Sequence, residues 1–203
     1  MTTLLPSHYR PSKPEHLIGP ARAVCDKALS LIERSEAGGH PVRLMLTGDP
    51  GLGKSRISQI LADRLGSKAW NTIKRNGTAV KVDALEDIER HLSGTSLLAG
   101  YRLLWIEEVD TVPRVAQTRL LTVLDDLPPW TAVLTTSNKS DEAFEPRFQS
   151  RFVVLPVAAP TAEEITDFLC KGWAIAENTA RSIAHMACGN MRQALLDADA
   201  SVL

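Results

Sequence analysis

An eight-residue run that contains three glycines, residues 48–55, constrains the fold more than any other feature of the chain. It lies between an apolar segment typical of a β-strand, 42–46, and a segment with the apolar spacing of a helix, 54–65. Glycines let backbone N–H groups turn toward one point, and the helix that follows adds its free N–H groups and its dipole. The run ends in Lys54-Ser55 and matches G-x-x-x-x-G-K-S, so the sequence predicts a phosphate-binding loop.

Strand and helix patterns alternate along the chain as far as Pro156, which favours a parallel sheet with crossover helices. After Pro156 the patterns are helical, and Thr161 with Glu164 forms the capping-box signature of a helix start. We therefore predict an α/β fold, namely a P-loop NTPase with a parallel five-stranded sheet flanked by helices. The predicted domains are a core at residues 1–157 and a small C-terminal helical lid at residues 158–203.

The composition excludes several classes of protein. With 44% hydrophobic residues and a formal net charge of -1, the 203-residue chain is not globally disordered. No stretch approaches the roughly 18 apolar residues of a membrane span, so we expect no membrane segment. Three cysteines, Cys25, Cys170 and Cys188, lie far apart and form no CxxC pair. Their spacing argues against a zinc module and favours a reducing compartment, the cytoplasm.

The charge is distributed unevenly along the chain. Residues 1–81 hold 13 Lys and Arg against 6 Asp and Glu, whereas residues 82–203 hold 10 against 18. A basic first part can attract polyanions such as nucleic acid, and the alternative is an ordinary solvated surface. A basic cluster flanks Trp70 and a predicted turn at 76–77, and it has the composition of a groove for a phosphate backbone or, alternatively, of a solvated edge. The members of this cluster are Lys68, Lys74, Arg75 and Lys81.

Two adjacent carboxylates, Glu107 and Glu108, follow the apolar strand segment 103–106. An apolar strand that ends in acids suits the bottom of a nucleotide cleft, where the first acid holds Mg²⁺ with Ser55 and the second acts as general base. A solvated acidic turn is the alternative. Glu107 is one methylene longer than the usual Asp, and Mg²⁺ demands near-octahedral geometry at about 2.0–2.1 Å. This length predicts either a shifted water-mediated contact or weakened metal binding.

Residues 138–141 match NKxD, the guanine-reading motif of GTPases. A GTPase also needs Asp-x-x-Gly after its third strand, and the corresponding segment here, 110–113, has no glycine. We therefore interpret Asn138 as a polar group at a strand end that orients water and senses the γ-phosphate.

Taken in order, these motifs resemble those of AAA+ ATPases, and most closely those of sliding-clamp loader subunits. The resemblance covers nearly all 203 residues. It is carried by segments that are similar to the family's N-terminal adenine frame, Walker A, Walker B with the helix after it, sensor 1, arginine finger and sensor 2. These segments are Tyr9-Arg10-Pro11 with Leu17-Ile18-Gly19, residues 48–55, residues 106–110 with 116–121, residues 135–138, Ser150-Arg151-Phe152 and residues 189–195.

The resemblance implies ATP and Mg²⁺ as cofactors and gives each motif residue a role. The implied catalytic residues are Lys54, Glu108, Asn138, Arg151 and Arg192. The implied nucleotide contacts are Tyr9, Arg10, Ile18, Gly19, Asp49, Pro50, Gly51, Leu52, Gly53, Lys54, Ser55, Arg56 and Arg192. The implied metal ligands are Ser55 and Glu107.

The resemblance also implies partners. Arg151 would act on the ATP of a neighbour in a homo- or hetero-oligomer, and Arg192 would read the same phosphate from the lid. The alternatives are a surface ion pair for Arg151 and an ordinary helix-surface position for Arg192. DNA and a DNA-bound client, such as a sliding clamp or a helicase, are the implied macromolecular partners, and no membrane is involved.

Three departures from the family pattern bear on function. Glu107 replaces the family Asp, Phe152 replaces the usual Cys of the finger motif, and the chain stops after sensor 2, where clamp loaders continue into a collar. We expect an ATPase of clamp-loader type that remodels or loads proteins on DNA. The alternatives are a helicase-loader or transposition-regulator ATPase and a scaffold that hydrolyses ATP weakly. A small-molecule kinase is disfavoured because it needs neither sensor nor finger motifs.

Overall fold

A computed structural model describes residues 6–94, 100–138 and 144–202. Its centre is a five-stranded sheet in which every neighbouring pair of strands is parallel, in the order β2-β3-β4-β1-β5. This arrangement confirms the predicted fold class. The strands are β1 Val42–Thr47, β2 Thr72–Asn76, β3 Arg102–Glu107, β4 Thr131–Ser137 and β5 Val153–Pro156.

Helices connect and cover the strands, as parallel pairing requires. Five helices accompany the sheet and three follow it. They are α1 Gly19–Gly38, α2 Lys54–Arg64, α3 Leu85–Ser93, α4 Arg114–Asp125, α5 Pro146–Gln149, α6 Ala162–Trp173, α7 Glu177–Ala187 and α8 Met191–Val202. None of the helices in the described ranges has the length and apolar character needed to cross a membrane.

The sheet is buried on both faces because its strands present apolar side chains alternately to two helical layers. On β3, Leu103 and Trp105 pack with α1 and α2, whereas Leu104 and Ile106 pack with α3 and α4. All seven residues of β4 are buried, as expected for a central strand that is covered on both faces. The layers leave the carboxyl edge of the sheet as the place where polar side chains can gather.

The three C-terminal helices, α6 to α8, share a separate apolar cluster that includes Ile165, Leu169 and Ala184. The N-terminal segment, residues 6–18, packs against these three helices, which the sequence predicts to be a lid. Its Ser7 N–H donates to Asp199 Oδ1 at 3.0 Å, and Ile18 packs against the apolar cluster of the lid. The segment forms two short 3-10 turns, Pro6–His8 and Pro14–His16.

The predicted turn at 76–77 follows one strand and does not form a hairpin between two. A single strand, β2, ends at Asn76 and pairs in parallel with β3, so the chain must cross over rather than turn back. Asn76 Oδ1 instead accepts a hydrogen bond from the Thr78 N–H and starts a 3-10 turn at Gly77–Ala79.

The predicted capping box is confirmed at the start of α6. The Glu164 N–H donates to Thr161 Oγ1 at 3.2 Å, and the Thr161 N–H donates to Glu164 Oε2 at 2.8 Å. Because helix starts leave free N–H groups, this pair satisfies donors that no intrahelical carbonyl reaches.

Thr161→Ala should lower the free energy of unfolding by about 1 kcal/mol, because it removes the cap acceptor of α6. Urea denaturation followed by circular dichroism measures this effect. The matched control is Thr179→Ala at an exposed position of α7, where alanine is the better helix former. Equal losses in both variants would contradict a capping role for Thr161.

Candidate functional site

The loop between β1 and α2 follows a path that favours glycine. Gly51 and Gly53 have φ values of 86° and 90°, in the left-handed region. Gly53 is the N-cap of α2 and has no side chain to satisfy the first N–H groups of that helix. The loop and the helix start therefore offer backbone donors to an anion, as the sequence predicted.

Lys54 lies at the centre of this loop and is only 7% exposed. Its Nζ donates to the carbonyl oxygens of Gly48 at 2.6 Å and Asp49 at 2.7 Å. Burial lowers the pKa of Lys54, the Asp49 and Asp110 carboxylates oppose that change, and the charge of Arg192 adds to it. Among the residues that the structure describes, no carboxylate lies within ion-pair distance of the ammonium. A buried cation with carbonyl partners fits a site built for phosphate oxygens.

A cavity of about 540 Å³ opens beside the loop, within the range of small-molecule sites. Its walls come from the N-terminal segment, the phosphate loop, the carboxyl ends of β2, β3 and β4, and lid helices α6 and α8. Among the predicted site residues, those that line it are Tyr9, Arg10, Ile18, Pro50, Gly51, Leu52, Gly53, Lys54, Ser55, Arg56, Glu107, Glu108, Asn138 and Arg192.

Glu108 directly follows β3 and has a left-handed backbone, with φ 54°. Such a conformation costs a non-glycine residue about 1–3 kcal/mol, so its surroundings must hold it. The Glu108 N–H donates to Thr136 Oγ1 at 3.1 Å, and Asn76 Nδ2 donates to Glu108 Oε2 at 3.1 Å. The carboxylate is thus turned out of the strand and held at the cavity wall.

Glu107, the last residue of β3, lines the same cavity as Ser55. A carboxylate and a hydroxyl are oxygen ligands of the kind that Mg²⁺ prefers, so this pair fits the metal that a nucleoside triphosphate carries. The Glu107 carboxylate also has a protein partner, because Lys74 Nζ lies 3.3 Å from its Oε2.

Asn138 and Arg192 reach the cavity from opposite parts of the fold. The Asn138 N–H donates to Asp110 Oδ1 at 3.1 Å, which ties the end of β4 to the segment after Glu108. Arg192 lies in the first turn of α8, shortly after Asn190, whose Oδ1 accepts a hydrogen bond from the Gln193 N–H. The remaining residues of the NKxD match, 139–141, lie outside the described residues.

Three predicted residues do not line the cavity. Asp49 contributes its carbonyl oxygen to Lys54 instead of its side chain. Gly19, with φ 47°, lies against the Glu164 carboxylate of the lid, where a Cβ would approach within 2.6 Å of Oε1. Arg151 makes a bidentate pair with Asp125, from Nε to Oδ1 and from Nη2 to Oδ2, each at 2.9 Å. The surface ion pair weighed as the alternative for Arg151 is therefore present in the folded chain.

Several residues of the site were missed from the sequence. Asn76 and Thr136 belong to the ends of strands, and their position could have been found by assuming that all parallel strands end at one edge. Phe168 of α6 lines the cavity and meets the Tyr9 ring edge-on, with centroids 5.4 Å apart. Nothing in the helical pattern of α6 distinguishes this aromatic residue from a core residue.

A phosphate loop after the first strand, carboxylates after the third and a polar residue after the fourth define a P-loop nucleotide-binding protein. Residues 44–155 match AAA, the ATPase family associated with various cellular activities. The chain belongs to this family.

The relatives of the chain include two kinds of protein. The chain is 25% identical over 197 residues to the replication factor C small subunit of Methanocella arvoryzae, which covers 92% of this chain and 59% of the relative. It is 31% identical over 117 residues to RuvB, a Holliday junction branch migration complex subunit of Mycolicibacterium smegmatis, over 58% of this chain and 31% of the relative. The chain therefore spans less than two thirds of the length of either relative.

Solved structures agree on the fold. The RuvB Holliday junction branch migration motor of Thermotoga maritima matches with a TM-score of 0.72 and 22% identity, over 92% of this chain and 63% of the other. A variant of the same RuvB gives a TM-score of 0.74 at 21% identity with the same coverage.

The phosphate loop packs against the lid at Gly51, where an added Cβ would overlap Asn190 Oδ1. Gly51→Ala should therefore destabilise the protein by more than the roughly 1–2 kcal/mol of left-handed backbone strain. Replacing Asn190 with alanine removes the overlap and should reduce the cost of Gly51→Ala. Urea unfolding of the four proteins in this double-mutant cycle measures the coupling.

Gly53→Ala is the matched control for this cycle, because Gly53 has a similar φ and its Cβ would have no neighbour closer than 4.0 Å. Its cost should be the same with and without Asn190→Ala. A cost of Gly51→Ala that is independent of residue 190 would contradict the contact between loop and lid.

Proposed function

We propose that the chain binds and hydrolyses ATP and that this cycle drives the remodelling or loading of proteins on DNA, as in clamp loaders. The observation that carries the proposal is the convergence of four predicted residues on one cavity. Lys54 comes from the phosphate loop, Glu108 and Asn138 come from strand ends, and Arg192 comes from the lid. A cavity that joins these groups from distant parts of the chain suits a triphosphate whose terminal phosphate is read from several sides.

ATP would lie with its phosphates over the loop. Lys54 would exchange its two carbonyl partners for phosphate oxygens, which are stronger acceptors for an ammonium. The adenine of ATP would lie among apolar and aromatic groups of the N-terminal segment and the lid, which include Tyr9, Ile18 and Phe168.

Ser55 and Glu107 would hold Mg²⁺, which neutralises phosphate charge when bound. Glu108 would accept a proton from the attacking water, and Asn138 would orient that water. While Asn76 donates to Glu108, one carboxylate oxygen is engaged, so Asn76 would weaken Glu108 as a base until that hydrogen bond breaks.

We further propose the division into a core at 1–157 and a lid at 158–203. The separate apolar cluster of α6 to α8 supports it. Since Arg192 and Phe168 belong to the lid and line the same cavity as Lys54, nucleotide binding would tie the angle of the lid to the phosphate loop.

Steady-state phosphate release with ATP and Mg²⁺ tests the proposal. Glu108→Gln should reduce turnover at least about 100-fold while ATP binding persists, because the amide cannot accept the proton. Lys54→Ala should lose ATP binding itself, measured by fluorescence of a labelled ATP analogue.

Lys171→Ala is the matched control for Lys54→Ala, since this exposed lysine pairs only with Asp167 on α6 among the described residues. It should retain both binding and turnover. Turnover that persists in Glu108→Gln would remove the proposed base. Strong binding with negligible turnover in the native chain would instead favour the alternative of a weakly hydrolysing scaffold, for which the engaged Glu107 carboxylate is the specific observation.

Arg151 would act across a subunit interface, because it lies outside the cavity of its own chain. Its guanidinium is held in place by hydrogen bonds to Asp125, which raise the pKa of Arg151. A cation fixed in this way could stabilise the charge that develops on a neighbour's phosphate.

Turnover per chain should therefore rise with protein concentration, and Arg151→Ala should lower it at least about tenfold at high concentration. Arg147→Ala is the matched control, since Arg147 is an exposed arginine four residues away with its own partner, Glu145. Turnover that is independent of concentration and survives Arg151→Ala would contradict this role. Arg151 would then only form a surface ion pair.

DNA and a DNA-bound client are proposed from the relatives and from the basic cluster. Trp70 is 51% exposed at the amino end of β2, an edge strand, beside Lys68. Lys74 belongs to the cluster in sequence but faces Glu107, so Lys68, Arg75 and Lys81 carry the proposed DNA contact.

Because the relatives include both a replication factor C subunit and RuvB, a pull-down with a sliding clamp against a replicative helicase separates a clamp loader from a helicase loader or a transposition regulator.

We also propose a cytoplasmic location. The three cysteines are free and unpaired in the structure, and a reducing compartment preserves that state.

A further inference from the structure

Lys74 and Glu107 meet because of the register between β2 and β3. Asn76 pairs with Glu107 across the two strands, and Lys74 lies two residues earlier, on the same face as Asn76. This places Lys74 diagonally opposite Glu107, with Nζ 3.3 Å from Oε2. An aspartate at position 107 would withdraw the carboxylate by about 1.5 Å. The distance from the carboxylate to Lys74 Nζ would then be too long for an ion pair. The extra methylene of Glu107 is therefore what brings its carboxylate within ion-pair distance of Lys74.

The Lys74 ammonium is fixed from a second side. It lies 3.6 Å from the centroid of the Trp105 ring, and that ring is 3% exposed and cannot move away. The Lys74 and Glu107 side chains are 46% and 28% exposed, so the pair lies near the surface rather than in the core, and of the two only Glu107 lines the cavity. A second cation, Arg56 of α2, also interacts with Glu107. Burial lowers the pKa of Arg56, the Arg10 charge lowers it further, and the Glu107 charge opposes both effects.

We infer that Lys74 competes with Mg²⁺ for the Glu107 carboxylate and thereby sets how strongly nucleotide binding depends on the metal. The inference rests on the proposed function, since it concerns the metal that accompanies ATP. Lys74 should weaken the binding of Mg²⁺, because a cation 3.3 Å from a carboxylate compensates the charge that would attract the metal. The nucleotide site would consequently gain less from Mg²⁺ than a site whose acidic ligand is unpaired.

The experiment measures the affinity of a fluorescent ATP analogue in excess Mg²⁺ and in EDTA, and the readout is the ratio of the two. Lys74→Met keeps an apolar stem over Trp105 and removes the charge. It should increase the gain in affinity on adding Mg²⁺ about three- to fivefold, the size expected for loss of a partly exposed ion pair. Lys74→Arg keeps the charge and should leave the gain within about twofold of the native value.

Glu107→Asp tests the geometry independently of Lys74. Shortening the side chain should break the ion pair and increase the gain in the same direction. Adding Lys74→Met to Glu107→Asp should then change the gain by less than about twofold, because Lys74 no longer reaches the carboxylate of the shorter side chain.

An unchanged or reduced gain in Lys74→Met, with the probe still bound, would overturn the inference and leave the proposed function intact. An equal effect of Lys74→Met in the native chain and in the Glu107→Asp variant would also overturn it. Absence of probe binding to the native chain both with Mg²⁺ and in EDTA would overturn the proposed function, and the inference with it.

Discussion

The burial of one ammonium group, that of Lys54, is the constraint on which the rest of the site depends. Its Nζ donates to two carbonyl oxygens of its own loop, and burial lowers its pKa. Carbonyls satisfy the donors of an ammonium but do not neutralise its charge, so an anionic ligand is the natural complement of this loop. Lys54 lies where three other features meet, and together they form one anion-binding site. These features are the glycine backbone of the loop, the start of α2 and the acidic strand ends.

The sheet converts this local feature into a site. In a parallel sheet all strands end at the same edge, so Asn76, Glu108 and Asn138 meet although they are far apart in sequence. Hydrogen bonds between these strand ends then fix the polar groups. The left-handed backbone of Glu108 is held by contacts to Asn76 and Thr136, and Asp110 ties Asn138 to the same edge.

The two ends of the chain complete the cavity together. Tyr9 packs edge-on against Phe168 and Trp173 of α6, with ring centroids 5.4 Å and 5.6 Å apart, and Ser7 is hydrogen-bonded to Asp199 of α8. The N-terminal segment is thereby attached to the lid, although it precedes the sheet in sequence. Phosphate loop and lid also touch directly, at Gly51 and Asn190. A ligand between them contacts parts of the fold that are packed against one another.

The sequence by itself determined the features that depend on neighbouring residues. The phosphate loop, the strand and helix alternation and the Thr161–Glu164 capping box follow from spacing within a few residues, where backbone geometry leaves little choice. Only the tertiary structure decided which distant groups meet. The pairing of Lys74 with Glu107, the contact of Asn76 with Glu108 and the ion pair of Arg151 with Asp125 depend on strand order, register and helix packing. Those are set by the burial of the whole core, and no local pattern of residues encodes them.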